Sequence, residues 1–336
     1  MSASIVDVAK RADVSRMTVT RVMRNDSVRI ETKNRVLKAM QELGYVPSKA
    51  ARAMRSTNPL RASMATCFAM VFGTDTQKAD MYFAEVARAI ESAAASEELS
   101  ALQVHWQEDA AISWQRMQTV LSIDGLCGII LVGQFSTKDI CSIKAVNNNI
   151  MVVEGPTPAG EQMANIKSDN LGGSELALEH LLSCGARRPV VIAGPKEHYF
   201  TKAMTKAVEN YSDKFETIKI INTDYSPKNA KNSIIKLIKT KEPFDAIFSN
   251  DMCCVGAMKA LSTYNIRIPE NVKIVGFDDT PICEYLTPSL TSVAIDKQQL
   301  GKEAVNGLVS IVRNEFFDKT NKLRIKAELR KRESTN

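Results

Sequence analysis

The chain is 336 residues long, 44% hydrophobic, 24% charged and 6% aromatic. That length suits roughly two or three domains, and the apolar share is that of a folded globular protein, which excludes wholesale disorder. The net charge is +6, no apolar run approaches the ~18–20 residues of a membrane-spanning helix, and the opening MSASIVDVAKRADVS places charges where a signal peptide has its apolar core. A cytoplasmic protein with no membrane partner is therefore expected. The seven cysteines (67, 127, 141, 184, 253, 254, 283) are scattered, mostly in apolar runs, with no C-x-x-C pair and no zinc-type Cys/His spacing. They read as buried free thiols in a reducing compartment, with no metal site and no cofactor.

The charge is unevenly placed. Residues 1–60 hold 12 Lys/Arg against 5 Asp/Glu, a net +7. Taking these from the totals of 44 and 38 leaves 32 basic and 33 acidic residues in the other 276, a net of −1. A basic module on a neutral body is the electrostatic footprint of a protein that meets a polyanion. The alternative is a solvated basic arm, and the patterning of the first sixty residues decides between them.

Ser4 can cap a short helix in which Ile5, Val8, Ala9 and Ala12 fall at helical spacing, with Asp7 in its first turn. After the break Ala12-Asp13-Val14, Ser15 can cap a second helix, Arg16 to Met23. Val19, Val22 and Met23 form its inward stripe, and Arg16, Met17, Thr20 and Arg21 face out. Thr32 is expected to cap a third helix with Val36, Leu37, Met40 and Leu43 on one face, stopped by Gly44. Three short helices, the second entered by a turn and exposing basic and polar residues at its start, match a helix-turn-helix reader of double-stranded DNA. After Pro47, SKAARAMRS spaces Lys49, Arg52 and Arg55 every third residue around small apolar residues and Met54. Two turns of helix are marginal alone, but the pattern suits folding against a minor groove; a flexible linker is the other reading.

IVDVAKRADVSRMTVTRVM followed by VRIETKNRVLKAMQELGYVPSKAARAM resembles the DNA-binding headpiece and hinge of the LacI/GalR family of bacterial transcription regulators. The resemblance rests on D-V-A, the V-S before the reading helix, T-V-x-R within it and G-Y-V-P before the hinge. It implies a headpiece over 1–46 and a hinge helix and linker over 47–60. Arg16, Met17 and Arg21 then fall on base-reading positions, and Met54 on the position where the family usually has a Leu wedged into the central base step of the operator.

From residue 61 onward, strand-length apolar runs alternate with amphipathic helical segments; the runs are ATCFAMVF (65–72), LQVH, LCGIILV (126–132), IMVVE (150–154), PVVIAG (189–194), IKIIN, DAIFSN (245–250) and VKIVGF (272–277). This predicts an α/β body of parallel sheets flanked by helices. About ten units exceed one compact sheet, so two lobes are expected. Ligands of open α/β sheets bind outside the carboxyl ends of the strands. The strand-end candidates are Glu154, Tyr225, Asn250 with Asp251, and Asp278 with Asp279, joined by Lys202 near the start of the helix after VVIAGP. Carboxylates and amides suit paired hydrogen bonds to sugar hydroxyls, and an aromatic face suits a sugar ring. Each also has a bland reading: Asn250 and Asp278 as helix caps, Tyr225 as a surface aromatic, Lys202 as a solvated helix end.

The family resemblance extends through YFAEVARAIE, IKSDNLGGSELALEHL, IFSNDMCCVGA and IVGFDDTP. It implies a periplasmic-binding-protein-like core, with 61–161 plus 291–320 as the N-terminal lobe and 162–290 plus 321–336 as the C-terminal lobe. It also puts Lys202, Tyr225, Asn250 and Asp278 on effector contacts, with Lys202 standing where the family usually has Arg. Losing that planar fork weakens recognition of a carboxylate or phosphate, and Glu154 and Asp278 facing one cleft favour a neutral sugar or polyol. The loop GTDTQKADMY departs from the family's short N-P-F-F segment.

No G-x-G-x-x-G follows the first strand, and neither a P-loop nor a G-x-S-x-G elbow occurs. The three histidines (105, 180 and 198) have no evident nucleophile or metal partner, so no catalytic residue is expected. A carbohydrate enzyme and a transport solute-binding protein remain the competing readings, and the second would not carry a +7 module. The expectation is an allosteric repressor that localises with the nucleoid, binds operator DNA as a homodimer and responds to a sugar-like effector. KAELRKRESTN carries no heptad tail, which predicts a dimer in place of a tetramer.

Overall fold

The computed structural model describes residues 4–23, 28–43, 66–73, 81–107, 109–161, 163–313, 315 and 322–336. The chain divides into two compact units, one containing the N-terminal helices and one containing the α/β body.

The N-terminal unit has helices α1 (Ile5–Arg11), α2 (Arg16–Met23) and α3 (Ile30–Glu42). Ser4 caps α1 in a reciprocal capping box with Asp7: its Oγ accepts from Asp7 N at 3.4 Å, and Ser4 N donates to Asp7 Oδ2 at 2.8 Å. Asp13 takes a left-handed φ of 50° in the turn, and Ser15 Oγ accepts from Thr18 N at 3.1 Å to start α2. Val8, Val19 and Val36, one from each helix, are fully buried together, with Ala9, Ala12, Val22 and Ala39 around them. One expectation is corrected. Thr32 does not cap α3, which begins two residues earlier, with Lys33 N bonded to Arg29 O. Val28 packs on the helical core, which draws the chain in ahead of Thr32, and Glu31 falls in the first turn, where the helix dipole favours it.

The body holds helices α4 (Met81–Ser96), α5 (Ala110–Leu121), α6 (Thr137–Val146), α7 (Asn170–Ser183), α8 (Tyr199–Tyr211), α9 (Pro227–Thr240), α10 (Asp251–Thr263), α11 (Ile282–Tyr285) and α12 (Lys297–Val312). Among the described residues its strands are β1 (Cys67–Phe72), β2 (Ser100–His105), β3 (Leu126–Val132), β4 (Ile150–Val153), β5 (Ala164–Ser168), β6 (Pro189–Ala193), β7 (Lys219–Asn222), β8 (Ala246–Phe248), β9 (Lys273–Asp278), β10 (Thr291–Ile295), β11 (Lys322–Ile325) and β12 (Ala327–Arg330). They form two six-stranded sheets, ordered β11-β5-β4-β3-β1-β2 and β12-β10-β9-β8-β6-β7. The strands buried on both faces are the continuous apolar runs, such as β1 and β6, as parallel sheets covered by helices require.

The lobe boundaries differ from those expected. Strand β5 pairs with β4, Met151 opposite Ala164, so 164–168 belongs to the first sheet. Strand β10 pairs with β9, Thr291 opposite Val275, so 291–295 belongs to the second. The segment 321–336, expected wholly in the C-terminal lobe, holds two strands: β11 parallel to β5 in the first sheet, and β12 antiparallel to β10 in the second. The chain thus crosses between sheets at Asp169, Asp296 and Lys326. Asp169 and Asp296 cap the helices that follow, accepting from Gly172 N and Gln299 N. Register pairing across the sheet decides lobe membership, and apolar periodicity along one strand carries no trace of it.

Candidate functional site

On α2, Ser15, Arg16 and Arg21 are exposed and Thr20 is half-buried. Met17 is 71% exposed. Thr20 Oγ1 donates back to Arg16 O at 3.0 Å, and Ser15 Oγ lies 3.0 Å from Thr18 Oγ1. The expected outward face of the reading helix is therefore formed, with its inward stripe held by Val19 and Val22. Lys49, Arg52 and Met54 lie outside the described residues.

The body has a cavity of about 480 Å³ walled by both sheets' carboxyl ends. Of the five effector candidates, Glu154, Tyr225, Asn250 and Asp278 all line it, and Lys202 does not. The Lys202 ammonium lies 2.7 Å from Glu197 Oε2, and it is Glu197 that reaches the cavity wall.

Glu154 follows β4 with a left-handed φ of 54° and is 1% exposed. Its Oε1 accepts from Tyr82 Oη and from Ser168 N, both at 2.8 Å, and also from Ser168 Oγ. Burial raises its pKa, and the Ser168 and Tyr82 bonds oppose that rise. Three donors on one oxygen mark it as a wall-forming residue whose geometry is fixed before any ligand arrives.

Tyr225, with φ 60°, lies flat against the backbone at Gly194: a Cβ on that glycine would stand 1.9 Å from the tyrosine ring. Its hydroxyl is 2.8 Å from Thr201 Oγ1, and its ring stacks on Phe200 and meets His198 edge-on, with centroids 5.8 and 5.4 Å apart. Burial pushes its pKa up. His198 Nδ1 accepts from Phe200 N at 3.3 Å, which leaves the ring proton on Nε2. The next side chain along, Asp224, is held to about 2, chiefly by its bond with Ser226, so it stays ionised at the cavity edge.

Asn250 is a helix cap that also lines the cavity. Its Oδ1 caps α10, accepting from Cys253 N at 3.0 Å, while the residue lines the cavity. Its neighbour Asp251 is fully buried and structural. It accepts from Thr280 N at 2.7 Å, Thr280 Oγ1 at 2.8 Å and Ser292 Oγ at 2.6 Å, and burial lifts its pKa to about 6. Those bonds anchor the turn after β9, where Asp278 and Asp279 hold positive φ values of 103° and 45°. The Asp279 carboxylate pairs with the guanidinium of Arg332 at 2.7 Å.

Sequence reasoning missed Tyr82, Phe83, Gln134, Phe135, His198 and Phe200 as cavity residues. Tyr82 and Phe83 open an amphipathic helix as ordinary core residues do. The one available signal was position: Gln134 and His198 both follow strands at their carboxyl ends, as ligand residues do. Counted over the described lining residues, the wall holds four carboxylates, Glu154, Glu197, Asp224 and Asp278, and no Lys or Arg.

Residues 4–48 match the family described as bacterial regulatory proteins, lacI family, and residues 178–335 match the periplasmic binding protein-like domain. The ribose operon repressor of Halalkalibacterium halodurans is 30% identical over 99% of this chain and 97% of its own. The HTH-type transcriptional regulator GalR of Lacticaseibacillus casei is 27% identical over 93% of each. Among solved structures, the lac repressor dimer bound to operator and the anti-inducer ONPF superposes with a TM-score of 0.76 at 21% identity, over 100% of this chain and 99% of that one. The complex of the regulator CelR with cellobiose gives 0.69 at 24% identity over 99% of each.

Proposed function

Because the chain belongs to the lacI family of bacterial regulatory proteins, we propose that it is a sequence-specific DNA-binding transcriptional repressor controlled by a small sugar-like effector. The observation that carries this reading is the pairing, on one chain, of an exposed reading helix with a strand-end cavity. Two copies would each read one half-site of a near-palindromic operator in the major groove. Arg16, Met17, Thr20 and Arg21 are assigned to base edges, Ser15 to the start of the reading helix, and Lys49, Arg52 and Met54 to the minor groove at the operator centre. Related proteins are named as repressors and as complexes with operator or sugar, which supports homodimer, DNA and carbohydrate as partners. No helix among the described residues is long and apolar enough to cross a membrane. DNA as the target is what supports a location in the cytoplasm at the nucleoid.

The cavity's carboxylates favour a neutral ligand. An anionic sugar phosphate would meet Asp224 and Asp278 with no lining cation among the described residues to offset them. Asn250 and Asp278 are assigned to hydroxyl groups, Tyr225 to the ring face, and Glu154 to a fixed wall; Lys202 acts only through Glu197. The effector would change how the two sheets are held about the crossings at Asp169, Asp296 and Lys326. Cleft and DNA are then linked by a coupling of typically about 1–3 kcal/mol, reciprocal by linkage.

The test is selection of sites from a random double-stranded DNA library at near-physiological salt, with wild type and Arg21→Ala, in the presence and absence of a panel of neutral sugars. A palindrome of roughly 14–20 base pairs should be enriched, and Arg21→Ala should weaken it by about 1–3 kcal/mol. Binding that stays independent of sequence under every condition would reject the regulator reading.

A further inference from the structure

The ammonium of Lys297 sits where the two lobes meet. Lys297 opens α12 immediately after the crossing at Asp296, and α12 lies along α4 so closely that a Cβ on Gly301 would stand 2.5 Å from the backbone carbon of Ala89. Lys297 and Glu85 therefore ride on one rigid helix pair of the first lobe, their side chains 12% and 20% exposed and Nζ 3.0 Å from Glu85 Oε2. The same Nζ donates across the lobe boundary to the backbone carbonyls of Asp278 and, at 3.2 Å, Asp279, at the end of β9 in the second sheet. The two carbonyls accept hydrogen bonds from the ammonium, and the Glu85 carboxylate faces it as an ion pair. Those carbonyls are presented by two successive non-glycine residues with positive φ, a backbone state that persists only where its surroundings hold it. The ring of Tyr82, whose hydroxyl bonds Glu154 in the cavity wall, lies 5.9 Å from Nζ.

We propose that Lys297 is a positioning residue that latches the two lobes together, with Glu85 holding its ammonium in place and the Asp278–Asp279 carbonyls as its catch. Asp278 is thereby set at the cavity, and any ligand that shifts the turn after β9 also shifts the contact that fixes the lobes. That consequence rests on the effector reading above; the latch itself does not. A second cross-lobe hydrogen bond, from Tyr199 N to Gln134 Oε1 at 3.2 Å, lies away from Lys297 and reports whether the lobes separate.

Hydrogen–deuterium exchange of the full-length protein, with neither DNA nor sugar added, tests the latch independently of the regulator reading. Lys297→Met should speed exchange about tenfold, the loss expected of a charge-assisted hydrogen bond, at Tyr199 as well as at 278–280. Lys297→Arg should restore protection at Tyr199 by keeping donors toward the carbonyls. Should Lys297→Met not fold, Glu85→Gln, which keeps the ammonium but loosens its hold, should speed the same amides by a smaller factor. Acceleration confined to 278–300, or none, would make Lys297 a local structural cation and overturn the proposal.

Discussion

Replacing Asp251 with Ala tests whether the turn carrying Asp278 is held from beneath. The carboxylate is fully buried and accepts three hydrogen bonds, two from Thr280 and one from Ser292. Alanine leaves all three donors without that acceptor. Each stranded buried donor costs about 1–3 kcal/mol, and a water entering the vacated space would recover part, so a loss of about 3–5 kcal/mol is expected, comparable to breaking one side of a buried charge network. Urea unfolding of the body, followed by tryptophan fluorescence from Trp106 and Trp114, measures it. The pH dependence supplies a second reading. The folded-state pKa of about 6 lies above the ordinary value of 3.8, so the folded state holds the proton more tightly than the unfolded chain. The stabilising contribution is full below pH 3.8 and is lost as pH rises through 6. Asp251→Asn removes that titration, so the wild-type advantage over it should shrink between pH 4 and 7. A loss below about 1 kcal/mol for Asp251→Ala, or a gap to Asp251→Asn that widens over this interval, would refute the assignment.

Three further substitutions probe separate parts of the molecule. Gly194→Ala would place a methyl group 1.9 Å from the Tyr225 ring; titration calorimetry with any sugar that binds wild type should show at least a tenfold weaker Kd, with the far-ultraviolet circular dichroism unchanged. Ser4→Ala removes the α1 cap and should lower headpiece stability by about 1 kcal/mol, read as earlier melting of the helical signal from a fragment ending before the body. Deleting Ser334–Asn336 should destabilise the body and lower its melting temperature, since Ser334 Oγ donates to Ile274 O at 2.6 Å and Thr335 Oγ1 meets both Thr291 and His180. His180 is held below its usual pKa chiefly by burial. Its share of stability is therefore present above about pH 6.5 and is lost as pH falls through the depressed value, a dependence that should weaken in the truncated chain.

The local rules of the chain wrote the headpiece almost directly. Ser4 and Ser15 start helices because their hydroxyls meet amides three residues on, and Val8, Val19 and Val36 meet because helical periodicity puts each on an inward face. The same logic made β1, β3, β4 and β6 legible, since strands covered on both faces must be apolar throughout. Interactions within a few residues determine these features, and sequence spacing records them.

Contacts between distant segments decided the rest. Which sheet receives β5, β10, β11 or β12 depends on register with neighbours up to about 160 residues away, and the pattern of a single strand is the same in either. Lys202 lies near the start of the helix after a strand, as a ligand residue would, yet its ammonium turns to Glu197, and only Glu197 lines the cavity. Asp251 stands beside Asn250 with similar chemistry, yet one is sealed beneath the turn after β9 while the other opens on the cavity. Lys297 looked like one cation among 44; only the approach of α12 to α4, and of both to the end of β9, gives its ammonium three partners. Propensity acts along the chain and can be read there, whereas a binding cavity is made by side chains that folding alone brings together.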